Sequence, residues 1–281
     1  MTPMPGLLTI THLTLKETVR RRVLLAALVC GLAFLVLFSL GFRMIQHENH
    51  GQGAMQVIER HMFLSFVTLA GLYAVNFLTL MTAALVPVDT LSGEIGSGVM
   101  QTLASKPIRR TEILLGKWLG HWIVVVGYFA FMAGGVLLVT RWLGGFTPPN
   151  LRLGLPLMLL EATIFLTLSI AGGTRFSTVT NAVTVVGLYG LAFIGSWMEQ
   201  IGTMASNDAA RYVGTVASLI IPSEAMWQLA AHHMQPPIMR DLGVTPFSPV
   251  SVPSGAMVAW AGGYIVVVLL AAVRTFRRRP L

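Results

Sequence analysis

Charged residues are scarce in this chain. Asp, Glu, Lys and Arg make up 11% of its 281 residues, whereas soluble domains usually carry about a quarter. Hydrophobic residues make up 54%, and the mean hydropathy is +0.73. Because so few polar side chains cannot cover the surface of a water-exposed domain, this composition excludes an ordinary soluble fold and predicts a membrane protein.

The chain has a single cysteine and no nucleotide-binding motif. Cys30 is the only cysteine, so no disulfide can form within the chain. The Gly-Lys pair that ends at Lys117 has Thr111 where a phosphate-binding loop requires its first glycine, and Trp118 where it requires Ser or Thr. We therefore expect no ATP hydrolysis, no catalytic residue and no cofactor in this chain.

Long apolar stretches are what the sequence has instead. Crossing a bilayer core of about 30 Å takes roughly 20 apolar residues in a helix. Six stretches meet this requirement, at 22–42, 62–87, 118–140, 153–172, 178–198 and 254–273. The fourth and fifth are separated only by GGTRFS, which predicts a tight helical hairpin. The sequence thus predicts an all-α membrane protein with six transmembrane helices, in which residues 1–281 form a single transmembrane domain.

Lys and Arg divide unequally between the two sides that these spans create. With the N-terminus in the cytoplasm, thirteen of the 19 fall on the cytoplasmic side, where the C-terminus also lies. An excess of Lys and Arg in short loops marks the cytoplasmic side of membrane proteins. We therefore predict that both termini are cytoplasmic. The net charge of +8 then reflects this topology, and we expect the basic side to contact anionic membrane lipids rather than nucleic acid.

Two other regions carry helical signals of their own. Residues 7–21 combine apolar residues at near-helical spacing with a basic end, which is typical of an interfacial helix; a disordered basic tail is the alternative. The outer connection 199–253 contains AARYVGTVASLII and EAMWQLAAHHM, both too short to cross a membrane. N-cap residues precede the first and Pro222 ends it, so we expect a re-entrant or interfacial helix followed by a second short helix.

The segment 88–106 interrupts the apolar sequence with acids, bases, glycines and a proline. Residues 97–105 have room for two turns of helix, which the following proline ends because it has no amide donor. An ordinary charged loop would share this composition. The more specific feature is the order of Glu94, Gly98, Leu103, Pro107, Arg110 and Lys117.

This order resembles the region after the second span in permease subunits of the ABC-2 transporter family, which includes the membrane subunit associated with nitrous-oxide-reductase maturation. Val99 departs from the pattern, since many members have Thr there. The resemblance implies a permease subunit of the bacterial inner membrane that pairs with a second permease, identical or related. It also implies two copies of a separate ATP-binding subunit, which bind ATP and Mg and drive transport, with export as the expected direction.

The resemblance further implies that 88–106 is a cytoplasmic coupling helix, inserted into a groove of the ATP-binding subunit. The residues it assigns to this contact are the six that carry the resemblance: Glu94, Gly98, Leu103, Pro107, Arg110 and Lys117.

Glu161 is the one acid within a predicted span. A charge in lipid is costly, so Glu161 is a candidate for the substrate path or a proton relay; a hydrogen-bonded glutamate that holds helices together is the other interpretation. A proton-coupled secondary transporter using Glu161 is therefore the alternative function. Asn76 and Asn181 predict interhelical hydrogen bonds, and the spacing of Gly116 and Gly120 indicates close helix packing.

Histidine and methionine gather in the outer connections, and both suit copper or zinc. Their spacings match no recognised metal site, so we expect solvated side chains and no bound metal. The residues concerned are Met44, His47, His50, Met55, His61, Met62, His232, His233, Met234 and Met239.

Overall fold

A computed structural model describes residues 6–48, 54–98, 108–242 and 251–279 of the chain. Every regular element in these ranges is an α-helix, so the prediction of an all-α protein is confirmed. The helices are α1 (Gly6–Val19), α2 (Arg22–Glu48), α3 (Ala54–Leu85), α4 (Ser92–Gly96), α5 (Arg110–Gly144), α6 (Leu151–Gly173), α7 (Thr178–Met204), α8 (Asp208–Ile220), α9 (Ser223–Met234), α10 (Pro237–Leu242) and α11 (Gly255–Arg278).

Six helices of the described ranges are long and apolar enough to cross a membrane, namely α2, α3, α5, α6, α7 and α11. Each overlaps one predicted stretch almost completely, so the prediction of six transmembrane helices is confirmed. Several are longer than predicted. α5 begins at Arg110, eight residues before the apolar stretch, because Glu112 Oε2 accepts a hydrogen bond of 3.2 Å from the Arg109 amide and supports a polar first turn.

The spans differ in how much of their surface they bury. In the most apolar part of α6 61% of the residues are buried, against 11% in α2 and in α11. α3, α5 and α6 therefore form the centre of the bundle. The peripheral helices expose large apolar side chains such as Leu37 and Val267. Such a surface is unfavourable in water and typical of helices that contact lipid.

Polar side chains join the central helices, as the sequence predicted for both asparagines. Asn181 Nδ2 donates to the backbone oxygens of Ser169 and Val88, at 2.8 Å and 3.2 Å. Asn76 Nδ2 donates to Glu161 on another span. These interhelical hydrogen bonds are confirmed, and they satisfy groups that lipid cannot solvate.

α1 lies along the first half of α5. A Cβ atom on Gly116 would be 2.8 Å from Cβ of Ile10, and one on Gly120 would be 2.8 Å from Cβ of Thr14. Any side chain at these two positions would push α1 away, so the glycines permit the close packing that their spacing indicated. The N-terminal region is thus helical and packed on a span; its place at a membrane surface stays a prediction.

α8 and α9 form a hairpin that returns along the end of α7. Gly202 of α7 lies against Arg211, and Gly195 lies against Ala217, so α8 runs antiparallel to α7. Both short helices predicted within 199–253 are present. The hairpin places the residues after Pro222, which begin α9, among the spans.

The two helices of this hairpin differ in burial. α8 exposes Tyr212 and Val216, whereas every residue of 223–231 in α9 is buried. Met234, at the end of α9, packs against Gly154 near the start of α6. α9 therefore runs from within the bundle towards the end of the bundle at which α6 begins.

Candidate functional site

The segment after α3 folds back onto α5. Lys117 Nζ of α5 donates to Glu94 Oε1 of α4. The Lys117 side chain is 4% exposed and that of Glu94 is 13% exposed, so the ion pair is largely withdrawn from solvent. Because a charge inside the protein is costly without a partner, this pair ties the predicted coupling segment to the third span.

His121, one turn after Lys117, extends the connection to α1. Its Nδ1 lies 2.8 Å from the Lys117 backbone oxygen, which can only accept, so Nδ1 carries the proton. Nε2 then accepts, and it lies 3.1 Å from the Thr90 hydroxyl and 3.3 Å from that of Thr18. Since the Thr18 hydroxyl donates to the Thr14 oxygen at 2.7 Å, Thr90 is the donor to Nε2.

One buried histidine of α5 thus connects this helix both to α1 and to the turn that precedes α4. Sequence reasoning missed His121. The only available signal was its position four residues after Lys117, which places both side chains on one face of a helix.

The other predicted coupling residues lie in different surroundings. Gly98 adopts a φ of +76°, a left-handed conformation that favours glycine. Leu103 and Pro107 lie outside the described residues. Arg110 Nη1 donates to the Arg279 backbone oxygen at 2.6 Å, at the end of α11. The structure therefore brings Glu94 and Lys117 together and places Arg110 at a separate contact between α5 and α11.

A second polar cluster surrounds Glu161 in α6. Glu161 is fully buried, and its Oε2 accepts a hydrogen bond of 2.9 Å from Asn76 Nδ2 of α3. Its Oε1 has no hydrogen-bond partner in the described part of the chain. Glu224, at the start of α9, lies close enough for the two carboxyl groups to interact electrostatically. Burial raises the pKa of the Glu224 carboxyl to about 7.

Aromatic residues enclose this carboxyl pair. The hydroxyls of Tyr73 on α3 and Tyr189 on α7 hydrogen-bond with each other. Both tyrosines lie close enough to Glu161 and Glu224 to interact electrostatically with their carboxyl groups. The Tyr73 ring is 5.1 Å from that of Trp227 on α9. Two adjacent carboxylates in such an apolar site repel each other strongly, so the pair is suited to hold a shared proton or a cation.

Sequence reasoning identified Glu161 and missed Glu224. Glu224 lies within a short segment that was expected on the outer side, and no local pattern indicated that the segment enters the bundle. The structural signal is the burial of residues 223–231 in α9. Two polar contacts accompany it: Glu224 lies beside Glu161, and Gln228 Nε2 donates to Ser196 Oγ at 2.7 Å.

No group of three or more His, Cys, Asp or Glu side chains that could hold a metal is present within the described ranges. The expectation that the outer methionines are solvated is wrong for Met234 and Met239, which are buried. Met234 ends α9 and packs on α6, and Met239 lies in the following short helix, α10. His47, His50 and Met55 have no described side chain.

Both polar clusters lie in the part of the chain that matches a known protein family. A family model described as "ABC-2 family transporter protein" matches residues 8–281 of the chain. No curated protein matches it.

Proposed function

The chain belongs to the ABC-2 transporter family, and we propose that it forms the substrate path of an exporter whose ATP hydrolysis takes place in separate subunits. It is a multi-pass membrane protein with six apolar helices, and its family implies partnership with an ATP-binding ABC subunit. The proposed assembly contains two such subunits and a second permease, identical or related. It lies in the bacterial inner membrane with cytoplasmic termini, and the permease itself performs no catalysis.

The buried Glu94–Lys117 ion pair is the observation that carries this proposal. A coupling element must pass a displacement from the ATP-binding subunit to the spans, and a loosely attached loop would absorb it. Glu94 lies in the segment that would enter the partner, and Lys117 belongs to a span. In our proposal, closure of the ATP-binding subunits on ATP displaces segment 88–106, and the ion pair passes this displacement to α5.

α1 moves together with α5 in this mechanism. Gly116 and Gly120 bring the two helices into close contact, and His121 bonds to the turn that precedes α4. Packed elements of this kind shift as units rather than deform continuously. The proposal therefore assigns Glu94, Gly98, Leu103, Pro107, Arg110 and Lys117 to the region that couples ATP hydrolysis to transport.

Co-purification tests the class of transporter. The tagged full-length chain is expressed together with whatever its neighbouring genes encode, purified in mild detergent and assayed for bound protein and ATP hydrolysis. We expect an ATPase in equal amount with the permease, lost when residues 94–110 are scrambled. A chain that purifies without any ATPase under all conditions contradicts the proposal.

Two variants separate coupling from folding. Glu94→Ala is expected to leave membrane insertion intact and to abolish stimulation of the ATPase by the permease. Glu94→Ala/Lys117→Ala removes both charges, so it should recover thermal stability without recovering stimulation. Glu199→Ala is the matched control at the far end of the bundle. Coupled transport that survives Glu94→Ala would show that Glu94 has no coupling role.

Proton-coupled transport is the second candidate, because Glu161 faces another buried carboxyl, Glu224. A carboxyl pair that holds one proton can alternate between two charge states as the spans move. The test is substrate movement in vesicles driven by a pH gradient without ATP. Glu161→Gln abolishes such movement if this candidate is correct, whereas strict dependence on ATP excludes it.

A further inference from the structure

Four arginines converge on one cavity at the end of the bundle where α5 begins and α11 ends. The cavity has a volume of about 440 Å³. The turn after α6 contributes Thr174 and Arg175 to one wall. The last turns of α11 and the residue after it contribute the other wall, which consists of Arg274, Thr275, Arg278 and Arg279.

In the part of the chain that the structure describes, no carboxylate pairs with these guanidinium groups. The acids described at this end have other partners. Glu17 binds Arg21, Asp89 accepts from Thr178, Glu94 pairs with Lys117, and Glu112 accepts from the Arg109 amide.

The two walls of the cavity are joined by a direct contact. Arg279 Nη1 donates to the Thr174 backbone oxygen at 2.6 Å. Arg279 is itself positioned by Arg110 Nη1, which donates to its backbone oxygen at 2.6 Å. The remaining three arginines thus surround a cavity of defined shape, and their mutual repulsion favours an anion between them.

An apolar groove continues from this cavity along the spans. It has a volume of about 380 Å³ and lies between α6, α7 and α11. It shares Thr174, Arg175 and Thr275 with the arginine cavity. Its apolar lining includes Leu168, Ala171, Val185, Leu188, Val267 and Ala271.

We infer that the cavity and the groove together bind one anionic phospholipid, with its phosphate among Arg175, Arg274 and Arg278 and an acyl chain along the groove. Basic pockets between transmembrane helices bind anionic headgroups. The positive-inside rule explains why arginines lie at this end of the spans, but it does not explain why two distant segments meet at one cavity that opens onto an apolar groove. Free phosphate would leave the groove unused.

This inference concerns lipid and is independent of the proposed coupling to an ATPase. It is tested on the full-length chain, purified in detergent and stripped of lipid. Native mass spectrometry then measures retention of phosphatidylglycerol and of phosphatidylcholine with the same acyl chains. Inorganic phosphate is added in a parallel series as a competitor.

Matched variants address the headgroup and the acyl chain separately. Arg175→Gln/Arg274→Gln/Arg278→Gln removes three charges and leaves Arg279 in place. The control variant, Arg141→Gln/Arg152→Gln/Arg211→Gln, also removes three exposed arginines, but at the other end of the bundle, in α5, α6 and α8. Ala271→Trp fills the groove, and Ala259→Trp adds the same side chain to an exposed position elsewhere on α11.

We expect phosphatidylglycerol to be retained in preference to phosphatidylcholine. The first triple variant loses three arginines near the headgroup, so it should bind phosphatidylglycerol roughly a hundredfold more weakly, and its control should not. Ala271→Trp should also weaken retention, which keeps the test decisive if the triple variant fails to fold. Equal retention of both lipids overturns the inference. Full competition by phosphate together with normal retention by Ala271→Trp also overturns it, because the cavity would then bind a free anion.

Discussion

Glu94 and Glu161 are both largely withdrawn from solvent, but they have opposite electrostatic surroundings. Glu94 pairs with a cation, Lys117, between a short connecting helix and a span. Glu161 instead has one amide donor, Asn76, and a second carboxyl beside it, Glu224. An opposite charge stabilises the ionised form of an acid, whereas a like charge destabilises it. The first arrangement therefore suits a permanent mechanical connection, and the second suits a site whose charge changes.

The largest expected effect comes from breaking the paired site. Lys117→Met leaves Glu94 in a largely buried position without a cation, which should lower the free energy of unfolding by about 3–5 kcal/mol. Thermal unfolding in detergent measures the loss. Lys16→Met, at an exposed position of α1, is the matched control and should change little. Equal stability of the two variants would mean that the Glu94–Lys117 pair does not hold the segment.

The like-charge site should instead make stability depend on pH. The pKa of Glu224 is raised on folding from 4.5 to about 7 by burial. Between these values the folded chain keeps a proton that the unfolded chain has lost, so stability falls as pH rises through this window and stays low above it.

Glu224→Gln tests this window directly. Thermal unfolding is measured from pH 4 to pH 8 for the wild type, for Glu224→Gln and for Glu199→Gln, an acid outside the cluster that accepts from Ser251. The difference between the wild type and Glu224→Gln should grow with pH. If Glu224→Gln shows the same pH dependence as the wild type, Glu224 is not the group responsible.

A smaller effect is expected from the amide that supports Glu161. Asn76→Leu removes the donor to Glu161 Oε2 and should cost about 1–3 kcal/mol, the usual penalty for a buried group that loses its hydrogen bond. Asn76→Leu/Glu161→Leu removes both polar groups and should be close to the wild type in thermal stability. A double variant as unstable as the single one would show that lost packing, not the hydrogen bond, causes the effect.

The smallest effect is expected at the histidine beside the paired site. Thr90→Val removes the donor to His121 Nε2 and should cost about 1 kcal/mol. Thr18→Val is the matched control, because the Thr18 hydroxyl donates to the Thr14 oxygen instead. We expect Thr90→Val to lower the melting temperature more than Thr18→Val. The reverse order would mean that Thr18 is the donor to Nε2.

Much of the fold was predictable because its signals are local. Length and apolarity determine a transmembrane helix, and Asn207 and Pro222 marked the two ends of α8 correctly. The start of α5 was predicted less well, since its first turns are polar and Glu112 supports them through a capping contact. The predicted turns of helix at 97–105 lie almost entirely outside the described residues and stay a prediction.

The candidate site was predictable only where a single residue stood out from its surroundings. Glu161 did so because an acid within an apolar stretch is unusual. Glu94 and Lys117 were identified by their positions in a family pattern, which contained no information that they contact each other. His121 and Glu224 looked ordinary in the sequence, and their roles depend on neighbours from other helices.

The sequence by itself determined that this is a multi-pass membrane protein with six helices long and apolar enough to cross a membrane, because hydrophobicity acts along the chain. Tertiary structure decided that α9 is buried among the spans and that Glu224 meets Glu161. It also decided that Arg175 and Arg278 share one cavity. Such contacts join residues far apart in the chain, and they arise from how whole helices pack, for which no local periodicity exists.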